Sequence, residues 1–140
     1  EDDYVIIHDA ARPIVYQDII DDLIEKAKAN GNACSAVSCY ETVVLTENRT
    51  SGKEQIDRNR IVRVQTPQCY NYGLIKSLYE KADKDNREDF VYANILAMNY
   101  GVEIYFSKGT NNNIKITTKD DIALFRALLY YINNAEGEEN

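Results

Sequence analysis

The sequence predicts an α/β sandwich with a mainly parallel sheet. Short β-rich apolar runs alternate with amphipathic stretches along the chain. Those amphipathic stretches carry helix start and stop signals. A length of 140 residues, 44% of them hydrophobic and 28% charged, suits one ordinary globular domain.

The first element is Tyr4-Val5-Ile6-Ile7, closed by His8-Asp9 and Arg12-Pro13. It does not alternate, so it predicts a buried central strand rather than an edge strand. A chain opening on such a strand is expected to begin in the middle of a larger fold. Gln17–Asn30 carries Ile19, Ile20, Leu23, Ile24 and Ala27 at helical spacing. Asp18, Asp21 and Asp22 crowd its first turns and Lys26 and Lys28 its last, with Gly31 placed as the C-terminal cap. Ala33–Cys39 predicts a strand. Thr42–Thr46, a polar turn over Glu47–Gly52, and Ile61–Val64 predict a long hairpin or arm. This arm has few large apolar residues for a second face, so it is expected to lean on something outside its own core.

Gln65-Thr66-Pro67-Gln68 is read as a break in the pattern. Asn71–Ala82 predicts a helix with Leu74, Ile75, Leu78 and Tyr79 on one side, followed by a charged turn over Lys84–Arg87. A second helix is expected from about Asp89 to Asn99, ending at Gly101. Val102–Ser107 predicts a strand, Lys108–Asn113 a loop, and Ile114–Thr117 a short strand. Thr118 with Asp121 three residues on resembles a capping box, with Asp in place of the usual Glu. The last helix is expected to bury Ile122, Phe125, Leu128, Leu129 and Ile132. Residues 133–140 are acidic and expected to be disordered.

The balance of 16 basic and 23 acidic side chains, a net charge of −7, argues against a nucleic-acid surface. No apolar run approaches the roughly 20 residues of a membrane span. The three cysteines, Cys34, Cys39 and Cys69, have no Cys-x-x-Cys spacing, so they predict reduced thiols in a cytoplasmic protein rather than a disulfide framework or zinc site.

In open α/β sheets ligands sit beyond the carboxyl ends of the strands. That places His8–Pro13 and Asn113–Thr117 as the candidate ligand-holding segments. A carboxylate at a strand mouth, Asp9, suits magnesium, which favours one or two carboxylates plus phosphate oxygens; it equally suits a turn or helix cap. Arg12 is a phosphate partner or a simple ion-pair partner of a nearby acid. His8, the only histidine, is a general-base candidate or a structural histidine. Lys115, flanked by Ile114 and Ile116, points away from the core. There it neutralises phosphate charge or stands as a solvated lysine. Arg58, near the far end of the arm, is by residue type a surface charge.

Taken in order, these short motifs resemble the later two-thirds of the cytidylyltransferases that act on 2-C-methyl-D-erythritol 4-phosphate. The matching pieces are His8-Asp9-Ala10-Ala11-Arg12-Pro13, Glu41-Thr42, Asp57-Arg58-Asn59, Thr66-Pro67-Gln68 and Asn113-Ile114-Lys115-Ile116-Thr117. Ribitol-5-phosphate cytidylyltransferases share the same order. The resemblance implies a Rossmann-like nucleotidyltransferase fold, with residues 1–132 as a partial domain and an arm at about 40–64 that dimerises with a second copy. It implies a reaction in which the polyol phosphate attacks CTP with magnesium as cofactor, releasing pyrophosphate. By position, Asp9 would hold the metal and nucleotide, Ala10 would lie beside the ribose, and Lys115 would stabilise the reacting phosphates. Arg12, Thr42, Arg58 and Thr66 would bind the polyol phosphate, Thr42 and Arg58 from the partner's arm.

Three departures accompany the match. The family's glycine-rich nucleotide loop belongs upstream of Glu1, so this chain alone is expected to bind CTP poorly. Asn112 stands where an aspartate is usual, which weakens the expected metal site. Val91-Tyr92-Ala93-Asn94 stands where the family has Thr-Asp-Asp-Ala, losing both acids, although Glu88 and Asp89 lie just upstream. A non-catalytic dimerisation module is therefore the alternative to an enzyme, and a plain α/β domain of unrelated role the third reading.

Overall fold

The computed structural model describes residues 3–87 and 90–135. Its centre is a four-stranded sheet of β1 (Tyr4–Ile7), β2 (Asn32–Ser38), β5 (Val62–Asn71) and β6 (Phe106–Lys108), in the order β1-β5-β2-β6. The β2–β6 ladder is parallel, while β5 runs antiparallel to both of its neighbours. The sheet is thus mixed rather than mainly parallel. The cause is the connection: β5 follows directly from the arm and inserts between β1 and β2 in the opposite direction.

Helices cover both faces. On one, α1 (Gln17–Asn30) lays Leu23 and Ala27 on Ala33, Cys69 and Tyr4. Gly31, with a φ of 86°, closes α1 through its N–H to the Ala27 carbonyl. A left-handed residue there is what favours glycine. On the other face, α2 (Tyr72–Lys84) and α3 (Ala93–Asn99) cover Cys34, Tyr70, Ile75, Leu78, Leu96 and Ile104. The Asn71 side chain caps α2 by accepting from the Leu74 N–H. Successive strand residues such as Ala33 and Cys34, or Cys69 and Tyr70, therefore serve opposite cores, as the pleat requires.

Several sequence expectations are corrected here. Among the described residues β1 stands at one end of the sheet, not in its middle. Val5 and Ile7 pack on the α2/α3 side and Tyr4 on the α1 side, while Ile6, on the same face as Tyr4, is 41% exposed. Gln65–Gln68 does not break the strand. β5 continues through it, and the register against β2 jumps between the Cys34–Gln68 and Ala36–Val64 pairs. That irregularity accommodates Pro67, whose Thr66–Pro67 bond is cis and which has no N–H for a ladder. Ile114–Thr117 belongs to no strand or helix, and β6 begins at Phe106 rather than Val102. Helix α3 begins at Ala93; Glu88 and Asp89, where a start was expected, lie outside the described residues.

The hairpin pairs β3 (Val43–Leu45) with β4 (Glu54–Ile56), separate from the main sheet, whereas Val62–Val64, expected as its second strand, belongs to β5 and pairs with β2. A single 3-10 turn, Arg58–Arg60, capped by the Asp57 side chain, joins it to β5. The final helix α4 (Lys119–Ala135) starts at the expected box. Asp121 accepts from the Thr117 and Thr118 N–H groups, and its own N–H donates to the Thr118 hydroxyl. Phe125, Leu128 and Ile132 are half-buried, but Ile122 and Leu129 remain 41% and 37% exposed. Among the described residues α4 packs extensively on no other element, which leaves that stripe open. Residues 133–135, expected in the tail, continue the helix; 136–140 lie outside the described residues.

Candidate active site

β1 ends at Ile7, and the turn that follows carries His8, Asp9 and Arg12 past the tip of the sheet, closed by the Arg12 N–H to the Asp9 carbonyl at 2.9 Å. Thr66, on β5 beside that turn, braces it. The Asp9 N–H donates to the Thr66 hydroxyl at 2.9 Å, and that hydroxyl meets His8 Nδ1 at 3.1 Å. His8 Nε2 donates to the Arg12 carbonyl at 2.8 Å, since a carbonyl only accepts. Both ring nitrogens are thus used to hold the turn, which favours the structural reading of His8.

The segment 113–117 comes alongside from the opposite end of the sequence. The Ile116 N–H donates to the Ala11 carbonyl at 2.8 Å, and the Arg12 guanidinium donates to the Asn113 carbonyl at 2.7 Å. Asn113 is fully buried and its amide donates to the Thr66 carbonyl at 2.7 Å. These bonds aim Lys115 inward. Its Nζ lies 3.0 Å from Asp9 Oδ2, which also faces Arg12 Nε at 3.4 Å. Asp9 and Lys115, 106 residues apart in sequence, therefore share one site.

The electrostatics follow from this geometry. Partial burial raises the pKa of the Asp9 carboxyl, but the Lys115 and Arg12 contacts outweigh it and hold it below the ordinary value. The same contact with Asp9 raises the Lys115 ammonium above its ordinary value. Asp9 is ionised and Lys115 protonated at neutral pH, and with Arg12 the three groups carry one net positive charge. A cluster of that sign favours an anionic ligand.

These side chains border a cavity of about 260 Å³, completed by Gln68, Tyr92 and Asn94. A second hollow of about 280 Å³ shares Asp9, Thr66 and Lys115 with it. The Tyr92 ring lies 5.4 Å from Lys115 Nζ, within cation–π range. Ala10 stands exposed at the tip of the turn. Thr42 and Arg58 are exposed on the arm and line neither cavity; the Arg58 guanidinium donates to the Tyr40 carbonyl at 3.0 Å. Asn112 does not face the cavity either, because its amide donates to the Tyr16 hydroxyl at 3.1 Å. Tyr92, Asn94 and Gln68 were not singled out by sequence as site residues. The signal lay in the altered Val91–Asn94 segment and in the glutamine after Thr66-Pro67.

The three cysteines are free and buried. Burial raises the Cys34 thiol to about 11 and also raises Cys69, so neither is a ready nucleophile. Among the described residues no three His, Cys, Asp or Glu side chains gather as a metal cage. No helix among them is long and apolar enough to cross a membrane.

The chain is similar to known proteins along nearly its whole length. The family model described as IspD, 2-C-methyl-D-erythritol 4-phosphate cytidylyltransferase, matches residues 1–131. A ribitol-5-phosphate cytidylyltransferase of Lacticaseibacillus paracasei is 39% identical over 131 residues, covering 92% of this chain and 56% of that protein. A 2-C-methyl-D-erythritol 4-phosphate cytidylyltransferase of Clostridium novyi is 36% identical over 129 residues, covering 92% of this chain and 55% of that protein. The chain thus spans little more than half the length of these relatives. The crystal structure of 2-C-methyl-D-erythritol 4-phosphate cytidylyltransferase from Thermus thermophilus superposes with a TM-score of 0.81 at 26% identity, over 91% of this chain and 62% of that one.

Proposed function

Because the chain belongs to the 2-C-methyl-D-erythritol 4-phosphate cytidylyltransferase (IspD) family, we propose that its cavity transfers CMP from CTP to a polyol phosphate, methylerythritol 4-phosphate in the first instance. The observation that carries this is the 3.0 Å meeting of Asp9 and Lys115 beside Arg12 at a strand mouth. A phosphate oxygen of the polyol phosphate attacks the α-phosphorus of CTP. The new O–P bond forms as the bond to the β-phosphate oxygen breaks, and pyrophosphate leaves. No covalent bond to the protein is needed, so the chain's contribution is positioning and charge neutralisation.

In this reading Lys115 swings its ammonium from Asp9 onto the developing phosphate charge. Arg12 holds the substrate phosphate, Thr66 keeps the Asp9 turn in place, and Ala10, lacking bulk, lets the ribose approach. Asp9 fits magnesium as a lone carboxylate ligand, since triphosphate oxygens and water supply the remaining positions that this ion prefers. When bound, the metal would neutralise phosphate charge.

Ribitol 5-phosphate is the competing acceptor, supported by the relative at 39% identity. The arm supplies Thr42 and Arg58 to the cavity of a second copy. Support comes from their absence from the lining of their own chain's cavity and from the exposed Tyr40, Val44 and Leu45 on the same arm. A non-catalytic module is the second reading, favoured by Tyr92 and Ala93 standing where two acids are usual. Pyrophosphate release with CTP, magnesium and each polyol phosphate, measured on a polypeptide that also carries the glycine-rich nucleotide loop, tests the first reading. Lys115→Ala should lower the rate on the order of 100-fold or more, as loss of a preorganised charge does. An unchanged rate removes Lys115 from the mechanism, and no turnover with either acceptor favours the module.

A further inference from the structure

A line of buried polar side chains leads from the sheet into the cavity. Cys34 and Tyr70 are fully buried, Gln68 is 4% exposed and Asn94 is 6% exposed. The pleat puts Cys34, Gln68 and Tyr70 on the same face of the sheet, the face covered by α3. Tyr70 donates its hydroxyl proton to Gln68 Oε1 at 2.7 Å. That proton is its only one, so the 3.4 Å contact with Cys34 must be a thiol donating to the Tyr70 oxygen. Gln68, with its oxygen occupied, turns its amide outward, and Nε2 donates to Asn94 Oδ1 at 3.2 Å.

Every hydrogen bond in the line therefore points the same way. Its end is the Asn94 Nδ2 group, for which the described residues supply no acceptor, at the wall of the cavity that holds Asp9 and Lys115. The Nδ2 group is open to that cavity, where its two N–H donors face any oxygen acceptor of a ligand. Lys115 and Arg12, the cationic groups suited to phosphate, line the same small space.

We infer that Asn94, held in register by Gln68 and Tyr70, is a specificity-determining residue that donates to a hydroxyl oxygen of the polyol chain. This deepens the proposed function and rests on it. Gln68 and Tyr70 act through Asn94 and are positioning residues.

The test uses the ¹⁵N-labelled protein, with the Asn94 side-chain amide pair assigned by its absence in Asn94→Ala. Ribitol 5-phosphate, methylerythritol 4-phosphate and inorganic phosphate are added separately. The expected result is that at least one polyol phosphate moves the Asn94 amide pair while inorganic phosphate does not. Asn94→Ala and Asn94→Asp should weaken binding of that polyol phosphate about tenfold, the worth of one good hydrogen bond, with inorganic phosphate unaffected. Asn94→Ser, which keeps a donor, should recover part of the loss. Tyr70→Phe should lower the preference for polyol phosphate over inorganic phosphate, a ratio that a merely structural role would leave alone. An unmoved amide pair with both polyol phosphates, or unaltered binding in Asn94→Ala, overturns the inference. Turnover with an unmoved Asn94 would leave the proposed function standing and remove this inference. A moved Asn94 without pyrophosphate release would do the reverse.

Discussion

Replacing Thr66 with valine keeps the shape of the side chain and removes its hydroxyl. That hydroxyl accepts from the Asp9 N–H at 2.9 Å and pairs with His8 Nδ1 at 3.1 Å, at a residue only 6% exposed. Two hydrogen bonds are lost together, each worth roughly 0.5–1.5 kcal/mol net, so the fold should lose about 2 kcal/mol. With a urea slope of about 2 kcal/mol per molar, ordinary for a small domain, the unfolding midpoint should fall by about 1 M. Thr66→Ser keeps the hydroxyl and gives up one methyl, so its midpoint should fall by less than half as much, the transfer of one buried carbon being about 0.8 kcal/mol. Urea titrations followed by circular dichroism compare the three proteins directly. The same variant should also impair pyrophosphate release, because the turn it loosens carries Asp9. A valine variant within roughly 0.2 M of the parent midpoint, or a serine variant as unstable as valine, would refute the claim that this hydroxyl braces the site.

The start of α4 should be acid-sensitive. The Thr117 and Thr118 N–H groups and the Thr117 hydroxyl hold the Asp121 carboxyl at about 2, below its ordinary 3.8. A lowered folded value means the contribution is complete above 3.8 and disappears as pH falls through about 2, and Asp9 shifts in the same direction. Circular dichroism across that window should show a steeper loss in the parent than in Asp121→Asn; equal slopes would deny the box its role. At the loop after β6, a Cβ on Gly109 would sit 2.6 Å from the Ala36 carbonyl oxygen and 2.8 Å from Gln65 Oε1. Gly109→Ala should therefore destabilise by roughly 1–3 kcal/mol, the usual cost of overpacking. An unaltered urea midpoint would show that the loop has room to yield.

Local elements were readable where a signal is local. The α1 stripe of Ile19, Leu23 and Ala27, its Gly31 cap, and the Thr118–Asp121 box each depend on residues within a turn or two of one another. The misreadings lie where a partner far along the chain decides. Pro67 looked like a terminator, but the jump in register against β2 lets β5 pass through it. The apolar run at β1 predicts a central strand, whereas among the described residues β1 pairs only with β5 and leaves Ile6 41% exposed. Ile114–Thr117 has the composition of a strand yet spends its hydrogen bonding on the Ala11 turn instead of a ladder.

The types of residue at the site, an acid after an apolar strand, an arginine three positions on and a lysine between two isoleucines, were written in the linear order, as was the arm that carries Thr42 and Arg58. Their convergence was not, because Asp9 and Lys115 meet through bonds between distant segments, from Arg12 to Asn113, from Asn113 to Thr66 and from Ile116 to Ala11. The wall formed by Gln68, Tyr92 and Asn94 is likewise a product of folding, since it requires α3 to settle on the face of β5 that bears Tyr70. Periodicity and capping act over a few residues and leave their mark in composition. A cavity is made by chain segments that become neighbours only when burial of both sheet faces brings them together.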